Sequence, residues 1–194
     1  MNICVYGAAS NSIAENYIKN IELLGENIAK KGHCLVFGGG NNGAMGAAAR
    51  GVKRYNGKII GVAPRFFDAD GVLFPYCDEF IYTETMRERK KILEDKSDVF
   101  IIAPGGIGTF DEFFEIVTLK QLGRTEKPIV IFNIYGYYDH LIAMLNNAVN
   151  GNFMNKATLS LFKVLDNINE IFSYIENYKF EKSSLNEYKD INLR

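Results

Sequence analysis

Short runs of β-branched and aromatic residues alternate with longer stretches of helical period along nearly the whole chain, and this constrains the fold more than any other feature. Strand runs separated by helical ones are the signature of parallel βαβ units. The pattern predicts strands at residues 2–6, 33–37, 58–62, 79–82, 99–102, 129–132 and 163–165. The central runs are apolar throughout, as a sheet covered on both faces requires. In the first helix Ile13, Tyr17, Ile21, Leu24 and Ile28 recur at steps of four, four, three and four, which puts them on one face. It stops at Lys30-Lys31-Gly32, cations in the last turn and then a glycine. Further helices are expected at 44–55, 83–96, 110–122, 138–150 and 168–178, the last with Asn167 and Glu170 at capping-box spacing. The expected fold is a Rossmann-like, doubly wound parallel sheet of about seven strands in three α/β/α layers. It should occupy 1–180 as a single domain, with 64–77 a loop and 181–194 a polar C-terminal tail.

Composition narrows the partners. Of 194 residues 47% are hydrophobic, enough to fill a core without disulfides or metals. The formal net charge is -1, so no strong basic field is expected and nucleic acid is not a default partner. Cys4, Cys34 and Cys77 lie in or near apolar runs, as reduced structural thiols do, and with only His33 and His140 a His/Cys metal site is not expected. The apolar run at the amino terminus is too short, and lacks the cationic flank, for a signal peptide. No stretch approaches the roughly 20 apolar residues that span a bilayer. The expectation is a cytoplasmic protein without membrane partners.

Ligands of open parallel sheets sit outside the carboxyl ends of the strands, and two loops there are glycine-rich. After the second strand stands Gly38-Gly39-Gly40-Asn41-Asn42-Gly43-Ala44-Met45-Gly46, a literal G-x-G-x-x-G between strand and helix. A dinucleotide site also wants an acidic residue about 20 positions on. Residues 41–67 contain no Asp or Glu, which disfavours NAD. Gly39, Gly40 and Gly43 then either let the backbone approach an anion or ribose closely or let helix pack tightly on strand. After the fifth strand comes Pro104-Gly105-Gly106-Ile107-Gly108-Thr109-Phe110-Asp111-Glu112. Successive glycines there expose N–H groups at the positive end of a helix, a geometry that holds a phosphate without a lysine. No Gly-Lys-Ser/Thr follows, so this is not a nucleoside-triphosphatase loop, and a monophosphate is the natural guest. Thr109 and Glu112 also stand at capping-box spacing. Glu112 therefore either returns to the Thr109 amide or serves chemistry beside a sugar phosphate, and cannot do both.

The run Met86-Arg87-Glu88-Arg89-Lys90-Lys91 resembles a solvated helix face, but helical neighbours three and four apart separate its arginines. Arg87 is flanked by polar residues. Arg89 is flanked by Met86, Ile92 and Leu93 and so points to the apolar side, where a cation needs an anionic partner, Glu112 or a phosphate.

M-x-x-R-K at 86–90 followed by P-G-G-x-G-T-x-x-E at 104–112 resembles the LONELY GUY family of cytokinin riboside 5′-monophosphate phosphoribohydrolases, whose members are often labelled lysine decarboxylases. The likeness runs from the first strand through residues 38–46 to Gln121-Leu122-Gly123, Lys127-Pro128 and Gly136-Tyr137-Tyr138-Asp139. It implies hydrolysis of the N-glycosidic bond of a purine nucleoside 5′-monophosphate, AMP or a cytokinin riboside monophosphate, to free base and ribose 5-phosphate, with no cofactor. It implies Arg89 and Glu112 as the catalytic pair. Lys90, Gly105, Gly106, Gly108 and Thr109 fall on nucleotide- and phosphate-binding positions, with Met86 near the base. Gly7-Ala8-Ala9-Ser10-Asn11 departs from the glycine followed by two serines of many members, leaving Ser10 as the hydroxyl of that loop. The family assembles as a homodimer. Independently, Phe110, Phe113, Phe114, Ile116, Val117, Leu119 and Leu122 wrap more of their helix than one sheet covers, which calls for a second apolar surface or a deeply buried core helix. The rival reading is a non-catalytic nucleotide-binding or molybdenum-cofactor carrier on the same fold. No lysine stands in a pyridoxal context, so decarboxylation is not expected.

Overall fold

A computed structural model of the chain describes residues 1–68 and 71–180; the tail expected at 181–194 lies outside the described residues. Seven strands, β1 (Asn2–Tyr6), β2 (Cys34–Phe37), β3 (Lys58–Pro64), β4 (Glu79–Thr83), β5 (Val99–Ile102), β6 (Ile129–Phe132) and β7 (Lys163–Leu165), form one sheet in the order β4-β3-β2-β1-β5-β6-β7. Every neighbouring pair is parallel. Among the described residues six α-helices complete it: α1 (Glu15–Lys30), α2 (Gly43–Arg54), α3 (Met86–Lys96), α4 (Ile107–Gln121), α5 (Asp139–Asn150) and α6 (Ile168–Glu176). This is the Rossmann-like fold the alternation predicts.

The period of two along each strand sorts the core into two halves. Ile3, Val5, Leu35, Phe37, Ile101 and Val130 face α1, α2 and α6. Cys4, Tyr6, Val36, Val62, Phe100 and Ile102 face α3, α4 and α5. Strand order reverses at β1, so the chain leaves β1 and β5 in opposite directions and opens a crevice between their carboxyl ends.

Boundaries differ from the sequence pattern where capping decides them. The third helix starts at Met86, not 83, because Thr85 and Glu88 form a reciprocal capping box. The fourth starts at Ile107, three residues earlier than its apolar period, with Gly106 as N-cap and no side-chain cap. Asn167 caps α6 by accepting from the N–H groups of Asn169 and Glu170. The 64–77 loop contains a 3-10 turn, Arg65–Phe67, and folds back onto the β2–α2 loop: Asn41 N–H donates to Val72 O at 2.8 Å and Phe74 N–H to Gly39 O at 2.8 Å.

Candidate active site

At the carboxyl ends of the strands lies a cavity of about 460 Å³, within the roughly 300–1,000 Å³ usual for small-molecule sites. Five chain segments build it: the β1–α1 loop, the glycine loop leading into α2, the loop after β3, and the starts of α3 and α4. Of the residues singled out in the sequence, Met86, Arg89, Lys90, Gly108, Thr109, Glu112 and Gly40 line it. Gly39, Gly43, Ser10, Gly105 and Gly106 are not among its lining residues.

Arg89 and Glu112 meet at its floor. Arg89 Nη1 is 2.8 Å from Glu112 Oε1, and Arg89 Nε donates to Val62 O at 3.3 Å. The residues are 6% and 7% exposed, so the ion pair is withdrawn from water while still reached from the cavity. Because α4 is capped at Gly106, Thr109 sits within the helix and Glu112 is spared for Arg89; the capping-box reading of that pair does not hold. Burial pushes the Glu112 carboxyl above its usual range, and the Arg89 charge and hydrogen bond oppose this without cancelling it.

Gly38 makes room for the guanidinium, since a Cβ there would overlap Arg89 Nη2. Gly38→Ala is therefore expected to displace Arg89 from Glu112, lowering turnover by at least about tenfold and the melting temperature by several degrees. Steady-state kinetics beside a thermal melt checks both. Gly43 serves packing instead: its φ is +57° and a Cβ would press the carbonyls of Ala8 and Ser10.

Lys90 Nζ lies 2.9 Å from Glu115 Oε2 and 3.0 Å from Asp111 Oδ2. Burial works against its charge, but these two partners leave it more basic than a free lysine. Ser10 is exposed, with Oγ accepting from Ser12 N–H. Cys4, below the site, is no nucleophile: burial and then the Glu112 charge raise its thiol to about 12.

The sequence reading missed the cavity's apolar wall, formed by Met45, Phe67, Val72 and Leu73 beside Met86. The signal was weak: an irregular loop after β3, on the ligand side of the sheet. Among the described residues no cluster of His, Cys, Asp or Glu suits a metal ion, and no helix is long and apolar enough to cross a membrane.

Comparison with known proteins gives three kinds of match. Residues 45–175 match a family model described as "Possible lysine decarboxylase". The cytokinin riboside 5′-monophosphate phosphoribohydrolase of Mycobacterium tuberculosis is 39% identical over 168 residues, 87% of this chain and 89% of that protein. The cytokinin riboside 5′-monophosphate phosphoribohydrolase LOG5 of Arabidopsis thaliana is 31% identical over 177 residues, 91% of this chain and 78% of that one. Among solved structures, the molybdenum cofactor binding protein of Rippkaea orientalis superimposes with a TM-score of 0.68 at 23% identity, covering 90% of this chain and 93% of its own. The molybdenum cofactor carrier protein of Chlamydomonas reinhardtii gives 0.67 at 24%, covering 90% and 95%. At such identities the structural likeness speaks for the fold alone.

Proposed function

The chain belongs to the LONELY GUY family of cytokinin riboside 5′-monophosphate phosphoribohydrolases, the family whose model is described as possible lysine decarboxylases, and on that premise we propose how its own site works. It hydrolyses the N-glycosidic bond of a purine nucleoside 5′-monophosphate, AMP or a cytokinin riboside monophosphate, to the free base and ribose 5-phosphate. The observation that carries this reading is the buried Arg89–Glu112 pair on the floor of the cavity.

The phosphate is held by the loop that leads into α4 and by the first turn of that helix, where Gly105, Gly106, Gly108 and Thr109 present backbone N–H groups and the helix dipole favours an anion. Lys90 stands beside it and can exchange one of its carboxylate partners for a phosphate oxygen. The base lies against Met86 and the apolar wall. As the C1′–N bond lengthens, the sugar gains oxocarbenium character, which a carboxylate nearby stabilises. Glu112 takes a proton from the attacking water, whose oxygen bonds to C1′, while the bond's electron pair leaves with the base nitrogen, which then takes up a proton to give the neutral free base and leave Glu112 ionised again. Arg89 keeps Glu112 ionised and aligned and offers positive charge to the departing base. The carboxyl must be ionised to act as base, so kcat/KM should fall as pH drops through a Glu112 pKa that burial has raised above 4.5. A pH–rate profile with AMP, with adenosine alongside, tests this. The expected result is an acid limb above the ordinary glutamate range and a strong preference for the monophosphate. A flat acid side, or equal rates with the nucleoside, contradicts it.

A carrier needs an anion site and an apolar wall but no buried carboxylate facing the ligand, so the ion pair favours hydrolysis. The reading extends to a homodimer, the second copy covering the side of α4 that leaves Phe114 and Leu122 exposed, and light scattering reads that mass.

A further inference from the structure

The carbonyl groups of the β5–α4 loop are all tied back. Ala103 O accepts from Tyr138 Oη at 2.8 Å, Pro104 O from Ala8 N–H at 3.1 Å, Gly105 O from Tyr137 Oη at 2.7 Å, and Gly106 O from Phe110 N–H at 3.0 Å. The groups left over are the first N–H groups of α4, which have no acceptor within the helix. With these acceptors engaged, the free hydrogen-bonding groups at this helix start are donors, the arrangement that suits an anion.

One of these four bonds stands out. The Gly105–Gly106 peptide lies between two glycines, so no Cβ resists its rotation. A planar peptide directs its N–H opposite to its C=O. Held by Tyr137, it turns the Gly106 N–H away from that tyrosine; flipped, it would aim a carbonyl where a donor stood. The turn carrying Tyr137 is fixed in its own right. Asn133 Oδ1 accepts from Tyr138 N–H at 2.7 Å, Asn133 Nδ2 donates to Asp139 Oδ1 at 2.8 Å, and Tyr135 and Gly136 both have positive φ. Tyr138 is fully buried, whereas Tyr137 is 41% exposed, so the Tyr137 hydroxyl contributes little to the core.

We infer that Tyr137 is a positioning residue that locks the Gly105–Gly106 peptide in its donor-presenting orientation and thereby sets affinity for the phosphate group, an inference that rests on the phosphate-binding reading of this loop. The test is Tyr137→Phe, with Tyr135→Phe as control, since Tyr135 Oη accepts from Asn20 at the surface, away from the β5–α4 loop. Affinities for AMP, ribose 5-phosphate and adenosine are measured by calorimetry, and KM and kcat with AMP. Tyr137→Phe should weaken both phosphorylated ligands and raise KM about tenfold, leaving kcat within about threefold and adenosine binding unchanged. Because the ratio of monophosphate to nucleoside affinity comes from one preparation, it is insensitive to any loss of folded protein. An unchanged ratio in Tyr137→Phe, when the wild type prefers the monophosphate, overturns the inference. Absence of that preference in the wild type instead overturns the phosphate reading, and the inference with it.

Discussion

Glu112→Gln is expected to lower kcat with AMP by about 10²–10⁴-fold, the usual contribution of a positioned general base. The amide matches the carboxylate in size and its oxygen can still accept from Arg89, but it cannot take a proton from water. Monophosphate binding should stay within a few-fold, because the groups proposed to hold the phosphate lie one turn away, at Gly105–Thr109. Some stability will go, since the substitution leaves the buried Arg89 charge without a counterion. A melt and a binding isotherm on the same preparation separate that loss from the chemical one. Turnover near that of the wild type in folded protein would remove Glu112 from the mechanism.

The second large effect is on stability. Arg89→Ala strips a buried carboxylate of its ion-pair partner, and breaking such a pair from one side costs about 3–5 kcal/mol. For a chain of this size that lowers the melting temperature by roughly 6–20 °C. The loss should depend on pH in a definite direction. With Arg89 gone, burial is opposed by much less, so the folded-state pKa of Glu112 moves further above its unfolded value. A carboxyl whose pKa is raised on folding binds more protons in the folded state, so stability is greatest below the unfolded pKa and is lost as pH rises through the folded one. The variant should therefore regain stability on acidification from neutral pH, relative to wild type. Adding Glu112→Gln to Arg89→Ala should flatten that dependence. Denaturation of the three proteins from pH 5 to pH 8 checks it, and parallel curves for Arg89→Ala and wild type would refute it.

How far these groups could be read from sequence depends on how local their causes are. Arg89 is legible because helical spacing alone puts it among Met86, Ile92 and Leu93, and the structure buries it. Glu112 is ambiguous because Thr109-x-x-Glu112 is also a cap; the choice falls to where α4 begins, and Gly106 makes that three residues earlier than the apolar period suggests. The true capping box, Thr85 and Glu88, lies among several competing polar starts. The central strands were legible because burial on both faces makes them continuous apolar runs, whereas the edge strands β4 and β7, only partly buried, carry a weaker signal. Phe67, Val72 and Leu73 carry no periodic signal. Their place in the cavity follows from backbone bonds between Asn41 and Val72 and between Phe74 and Gly39, contacts across more than thirty residues. Tyr137 is of the same kind: its partner, Gly105 O, is 32 positions away on another strand's loop.

The central claim is that this cavity breaks the bond between C1′ of a nucleoside monophosphate and its base. It is tested most directly by incubating wild type and Glu112→Gln with AMP and with isopentenyladenosine monophosphate, then quantifying base, ribose 5-phosphate and remaining nucleotide by chromatography. The expected result is equimolar base and ribose 5-phosphate from wild type and almost none from Glu112→Gln, with no base released from the matching nucleosides. Nucleotide recovered unchanged from wild type at full binding would contradict it and make the protein a carrier.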